Sequence, residues 1–251
     1  NGGRFNNKRL TLILKYFLNY SMSKVNRCKN CNAELMGTFC SECGQKNIDN
    51  FTFSKLVTDF FDNIFSLDSR FLITLKLLII RPGFLTNEYW SGKRIAYLPP
   101  FRLYLLSSIL FFIVPKMPHV ASNAHREQDV LSFLQTGYFI LMPVMAIILL
   151  LLYRKNNLLY FHHFITTLHF HSFMFFMLSI NDIFLYLFDR VIPILNNIFA
   201  LIILIYLFFM LKNIYIETLT KFIIKFVTLI CIYIALFISL IITIGAFVKQ
   251  L

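Results

Sequence analysis

Arg81 to Arg102 reads RPGFLTNEYWSGKRIAYLPPFR, and the rest of the chain divides around it. Before it lies a group of four cysteines; after it come long apolar runs. The stretch holds two helix breakers (Pro82-Gly83 and Pro99-Pro100), four cationic side chains and the only tryptophan, Trp90. Pro82 and Gly83 end a preceding helix, a short helix is expected from about Leu85 to Ser91, and Gly92 suits its C-terminal stop. Tyr89, Trp90, Tyr97 and Tyr104, with Lys93, Arg94 and Arg102, are residue types that settle at a membrane–water boundary. The expected structure is a collar on a membrane surface, including Arg81 and Pro99, where a polar head hands over to a spanning tail.

Composition supports that division. Of the 251 residues 58% are hydrophobic and only 14% charged, with 30 phenylalanines, which excludes an ordinary water-facing domain. The net charge of +12 is unevenly placed: fourteen Lys and Arg against seven Asp and Glu up to Arg94, ten against five beyond it. A basic head beside an apolar tail favours anionic headgroups and retention of the head in the cytoplasm. Nucleic acid is the weaker reading, because the basic residues are scattered rather than clustered on one element.

Residues 1–21 carry a short apolar run, Leu10 to Leu18, interrupted by Lys15 and lacking a signal-peptide cleavage site. Met22 then opens MSKVNRCKNC, so residues 1–21 are expected to be an upstream extension or disordered, with a short surface helix as the alternative. Cys28, Cys31, Cys40 and Cys43 follow as C-x2-C-x8-C-x2-C. Each C-x-x-C turns two thiolates toward one point, and two such turns give a tetrahedral shell for one structural Zn2+, with rubredoxin-like iron or a redox dithiol as lesser alternatives. The residue after each second cysteine needs left-handed backbone, which Asn32 and Gly44 tolerate. Ala33 to Phe39 is expected to form a tight hairpin between the pairs. So small a module depends on its metal to fold. Cys231, inside an apolar run, is read as a small buried hydrophobe.

Phe53, Leu56, Phe60, Ile64, Leu67, Phe71, Leu75 and Leu78 recur at helical spacing, which predicts an amphipathic helix packed on its own protein or lying in the membrane plane. With CKNC…FCSECGQK and LDSRFLITLKLLIIRPGFLTNEYWSGKRIAYLPPFRLYLLSSILFF in view, the region from Cys28 to Phe112 resembles a bacterial family of zinc-ribbon membrane proteins, domain of unknown function 3667. The resemblance rests on the four cysteines, Gly44, Gln45, Arg81, Pro82, Gly83, Tyr89, Gly92, Lys93, Arg94, Tyr97, Pro99 or Pro100, and Arg102. Asn32 stands where that family usually has glycine, and Ala96 where a basic residue is common. The resemblance implies a ribbon and membrane location; it implies no activity.

Five apolar segments follow: Phe101–Val114, Leu131–Tyr153, Leu158–Phe188 (interrupted at Asn181-Asp182), Ile192–Leu211 and Phe222–Val248. A span needs about 20 residues, so four qualify by length and the first is short. If all five cross with the ribbon inside, Arg154, Lys155, Lys212, Lys221 and Lys225 face the cytoplasm. Lys116, Arg126, Arg190 and Lys249 then face outward, a narrow majority for that orientation. No internal repeat is visible, which argues against an inverted-repeat transporter.

His162, His163, His169 and His171 form the one suggestive polar group in the membrane half. On a helix His162 and His169 share a face, while His163 and His171 lie off it, about 80° apart. They are read first as interfacial histidines with polar tips toward the headgroups. The alternative is a second metal site completed by Asp182 or Glu217. Asn181 and Asp182 are expected to end a helix at the outer aqueous side, or else to line a cavity. Neither G-x-S-x-G, H-E-x-x-H nor a P-loop occurs, so no enzyme is expected.

The expected architecture is mainly α: residues 22–50 a zinc ribbon, 51–100 an amphipathic helix and interfacial collar, 101–251 a bundle of four to five transmembrane helices. The leading function is a docking or assembly protein of the bacterial inner membrane. One zinc per chain would order a cytoplasmic ribbon that offers Lys24, Arg27, Lys29 and Lys46 to a protein partner. The alternatives are a transporter or channel with a regulatory ribbon, and a metal-dependent intramembrane enzyme built on His162–His171.

Overall fold

A computed structural model describes residues 27–46, 70–114, 125–156, 158–187 and 192–248. These belong to two units, Asn1–Asp49 and Asn50–Leu251. The expectations for residues 1–21, Lys24 and most of the amphipathic stripe before Arg70 lie outside the described residues.

In the first unit the chain makes two cysteine turns with no extended strand. Single antiparallel bridges join Arg27 to Glu34 and Phe39 to Lys46. Pairing therefore runs inside each turn, not across the Ala33–Phe39 link where a hairpin was expected. The reason is local. Each turn closes its own backbone hydrogen bonds, which leaves the link nothing to pair with.

The second unit contains seven described α-helices: α1 Arg70–Ile80, α2 Phe84–Trp90, α3 Pro100–Ile113, α4 His125–Leu152, α5 Tyr160–Leu187, α6 Ile192–Ile214 and α7 Leu219–Val248. Helix α5 is central, with α3, α4 and α6 packed on it, while α7 packs on α4. Three helical stretches are long and apolar enough to cross a membrane: Tyr160–Leu185, Asn196–Ile214 and Leu219–Thr243. Pro100–Ile113 and Gly137–Leu152 are shorter apolar helices among the described residues.

The exterior is apolar. Leu201, Ile202, Leu204 and Ile205 on α6 are exposed, as are Ile223, Ile224, Val227 and Ile238 on α7. Surfaces of that extent are not left in water by a soluble monomer. Polar side chains are instead turned inward, and along α5 Thr166, Thr167, Ser172 and Ser179 each donate to a carbonyl three or four residues back. Such self-satisfied hydroxyls let small side chains face neighbouring helices without orphaned donors.

Helix α1 keeps the predicted stripe as far as it is described. Leu78 is buried, and Phe71 and Leu75 pack against the core. Its other face exposes Leu72, Ile73 and Ile80 around Lys76. Pro82-Gly83 ends the helix as expected. Gly83 is left-handed (φ 82°), and a Cβ there would meet the Met210 carbonyl at 2.9 Å and Ile214 at 3.1 Å. Gly92 also takes positive φ, 95°, at the end of α2. Pro99 and Pro100 open α3, where a missing N–H costs nothing.

The break expected at Asn181-Asp182 is absent. Helix α5 runs through both residues to Leu187. The Asn181 side-chain N–H donates across the bundle to Asn196 Oδ1 on α6 at 2.8 Å, so its nitrogen need not seek water.

Candidate metal centre and the histidine helix

The ligating atoms of Cys28, Cys31, Cys40 and Cys43 all lie within 4.8 Å of one another. Cys28 Sγ is 3.6 Å from Cys43 Sγ, and Cys31 Sγ is 3.5 Å from Cys40 Sγ. A tetrahedral ion with metal–sulfur bonds of about 2.3 Å would set its sulfurs about 3.8 Å apart. The four cysteines can therefore hold one metal ion with little movement.

The two turns are copies of each other, twelve residues apart. Cys28 N–H donates to Ala33 O at 2.8 Å and Asn32 N–H to Cys28 O at 2.9 Å. Cys40 N–H donates to Gln45 O and Gly44 N–H to Cys40 O, both at 2.9 Å. Asn32 (φ 65°) and Gly44 (φ 72°) occupy the left-handed corner of each, as the spacing predicts. The repeat runs CKNCNAE and then CSECGQK. It is legible once the left-handed positions are aligned.

The thiols hold protons unequally. At Cys28, burial opposes ionisation, but the backbone N–H groups of Cys31 and Asn30 outweigh it and bring the thiol down to about 7. At Cys31 the Ala33 backbone favours the thiolate; burial and the three neighbouring sulfurs overcome it and push the thiol up to about 12. Four sulfurs this close cannot all ionise unless a cation shares the site. Cys231 is exposed on α7 rather than buried.

The collar residues have a different setting from the one expected. Helix α2 is wedged against α5 and α6 rather than spread over a surface. Tyr89 is buried against Phe161 and Ile165, and the Trp90 ring meets His162 edge-on at 5.3 Å. Asn87 Nδ2 donates to Asn213 O at 3.2 Å, and Asn213 Nδ2 donates to Pro82 O at 2.9 Å. Arg102 is only 4% exposed and Tyr104 is buried in the core, so neither is a headgroup contact here. The loop after α2 is pinned to α1: Arg70 Nη1 donates to Ile95 O at 2.7 Å, and Thr74 Oγ1 accepts from Leu98 N–H at 3.0 Å. Arg81 is exposed, and its guanidinium lies over the Phe84 ring.

Lys93, Arg94 and Tyr97 are half-buried. Lys93 Nζ donates to Glu88 Oε2 at 2.6 Å, which holds the ammonium above its ordinary pKa, and the Tyr97 hydroxyl reaches the same oxygen at 3.4 Å. Burial, reinforced by the Glu88 charge, raises the Tyr97 hydroxyl too.

The histidines of α5 do not converge. His163, His169 and His171 are buried, which corrects their reading as interfacial tips. His169 Nδ1 pairs with Thr86 Oγ1 of α2 at 3.0 Å, and His163 Nδ1 with the Tyr215 hydroxyl at 2.7 Å. His171 Nδ1 bonds the Thr167 carbonyl at 2.8 Å, and its Nε2 the Tyr233 hydroxyl at 3.2 Å. His162 Nδ1 accepts from Leu159 N–H at 3.3 Å. Each ring thus has its own partner, which lowers the cost of burial. Among the described residues the cysteines alone form a group of three or more side chains able to hold a metal. Asp182 is half-buried, and Glu217 is paired with Lys225 rather than with a histidine.

The partners Thr86, Tyr215 and Tyr233 were not singled out from the sequence. Each is far from its histidine in the chain, and no local pattern marks it. No curated protein and no solved structure matches this chain. A family model described as protein of unknown function (DUF3667) matches residues 68–112, and the cysteines lie outside that match. The part of the chain that resembles the DUF3667 family is therefore α1, α2 and α3 as far as Phe112.

Proposed function

We propose that this chain is a multi-pass protein of a bacterial inner membrane whose N-terminal unit is a structural zinc ribbon that docks a protein partner. The observation that carries this reading is the closed set of four sulfurs within 4.8 Å. Four thiolates saturate a tetrahedral ion, so no position is left for a substrate or an activated water, and the metal's work is to hold the backbone. Zinc suits such a site better than iron, because a purely structural ion has no need of a redox couple.

The ribbon's surface supports a protein contact. Met36 is 94% exposed and Phe39 60%, with Lys46 Nζ 5.8 Å from the centre of the Phe39 ring. Arg27 and Lys29 are exposed on the same unit. A small apolar spot among cations fits an acidic partner segment with one or two apolar side chains. The positive-inside tendency and the preference of free thiolates for a reducing compartment both support a cytoplasmic side for this unit. The basic half of the chain also favours a bilayer with anionic headgroups.

The test is capture of partners from membranes by the full chain, compared with Cys28→Ser and with Met36→Glu/Phe39→Glu. Docking predicts a bound protein lost in both variants, with zinc lost only in the first. The same proteins recovered with all three chains would contradict it.

A further inference from the structure

An interior cavity of about 550 Å³ opens among α4, α5, α6 and α7, within the size range of small-molecule sites. Its walls are apolar, among them Met174 and Leu207, and among the described residues none that lines it is charged. Helix α6 packs on α5 and α7 on α4. Helices α6 and α7 meet near their connecting turn, where Phe208 touches Phe222 and Phe226. Farther along, Leu204 and Ile234 line the cavity yet remain 40% and 51% exposed, so it is open on the outer, apolar face of the bundle. At the height of the spanning helices that face meets hydrocarbon, and what enters from there is a lipid chain.

The polar groups on the wall restrict the head of that lipid. Asn181 is 7% exposed; its Nδ2 donates to Asn196 at 2.8 Å, and its Oδ1 has no hydrogen-bond partner. A buried amide oxygen left unpaired is costly, so the site gains from any donor placed there. Tyr233 also lines the cavity, and its proton is committed. Because the Thr167 carbonyl can only accept, His171 Nδ1 carries the hydrogen, and the neutral ring's Nε2 accepts from the Tyr233 hydroxyl. The Tyr233 oxygen then offers the cavity lone pairs. Tyr138 and Asn196 also bring polar groups to the wall, but the buried unpartnered atom there is the acceptor Asn181 Oδ1, which favours a donor, and the uncharged lining gives no counter-charge to an acid or an amine.

We propose that this cavity binds an uncharged single-chain lipid with a hydroxyl head, its hydroxyl donating to Asn181 Oδ1 and its chain running along α6 and α7. This goes beyond the docking reading and does not depend on it. The test uses the full chain in phosphatidylcholine nanodiscs and a photoactivatable hexadecanol. The methyl ester and the carboxylate of the same chain length, neither of which donates when the acid is ionised, serve as comparisons.

The alcohol is expected to label peptides containing Leu204 or Ile234 about fivefold or more above either comparison, the scale of one hydrogen bond to an otherwise unpaired group. Ala200→Trp, at an exposed position on the cavity wall, should abolish that labelling, and Asn181→Leu should erase the preference for alcohol over ester while labelling persists. Should Ala200→Trp not insert, Leu204→Trp on the same wall takes its place. Equal labelling by alcohol and ester in the wild-type chain, or labelling unchanged by the tryptophan, would overturn the proposal.

Discussion

The two units are held together by opposite means. In the cysteine unit the described buried residues are Cys28, Cys40 and Gln45, and the two larger apolar side chains Met36 and Phe39 are exposed. Among the described residues these form no apolar core to offset the entropy of ordering the chain, and the four sulfurs that could hold one ion are what brings the two turns together. In the helical unit the core runs from Leu78 on α1 to Leu229 on α7, with buried histidines paired to side chains outside α5. A set of sulfurs able to hold a metal marks the first, a packed core the second. The comparison teaches where each unit is vulnerable: the first to loss of one ligand, the second to loss of close fit.

The largest effect should come from Cys28→Ser. Apparent zinc-binding free energies of roughly 10–16 kcal/mol in small ribbons are also folding free energies, so losing one thiolate should unfold this unit. Backbone NMR signals of residues 27–46 should collapse while the helical circular dichroism of the bundle stays within error. Loss of helical signal as well would break the separation between the units.

Gly83→Ala comes next. Left-handed backbone costs an alanine about 1–2 kcal/mol, and a Cβ 2.9 Å from the Met210 carbonyl forces α2 away from α6 at a further cost of about 1–3 kcal/mol. The thermal midpoint in detergent should fall by several degrees with metal content unchanged.

A smaller effect is expected at the bond between α2 and α5. Thr86→Val removes one partner of the His169 ring, which keeps its bond to the Ile165 backbone, while His169→Leu strands the buried Thr86 hydroxyl at about 1–3 kcal/mol. The double variant should be less damaging than the sum, and strict additivity would show that the 3.0 Å contact carries nothing. The least effect should come from Lys93→Met. Its partly exposed pair with Glu88 is worth about 0.2–1 kcal/mol, so insertion and midpoint should barely change. A large loss of inserted protein would return the stretch to the role of a charged membrane collar.

What could be read from the sequence was local in origin. The left-handed corners at Asn32 and Gly44 follow from residue types next to cysteines, and the stop at Pro82-Gly83 from two breakers in succession. The apolar runs were visible because a spanning helix must be apolar over its length. The setting of Arg81–Arg102 was not visible. Its aromatic and cationic residues are those of an interface, and nothing nearby states that Thr86 meets a histidine 83 residues away. The histidines misled for the same reason: their partners Tyr215 and Tyr233 lie 52 and 62 residues distant on other helices. Asn181-Asp182 looked like a helix end because the sequence does not show Asn196 across the bundle waiting to pair.

Metal stoichiometry tests the division between the units most directly. Purified wild-type chain, Cys28→Ser and His169→Ala should be compared by elemental analysis after removal of loosely bound ions. The prediction is one zinc per chain in the wild type, none in Cys28→Ser and one in His169→Ala. A metal-free wild type, or a second equivalent lost with His169→Ala, would contradict it.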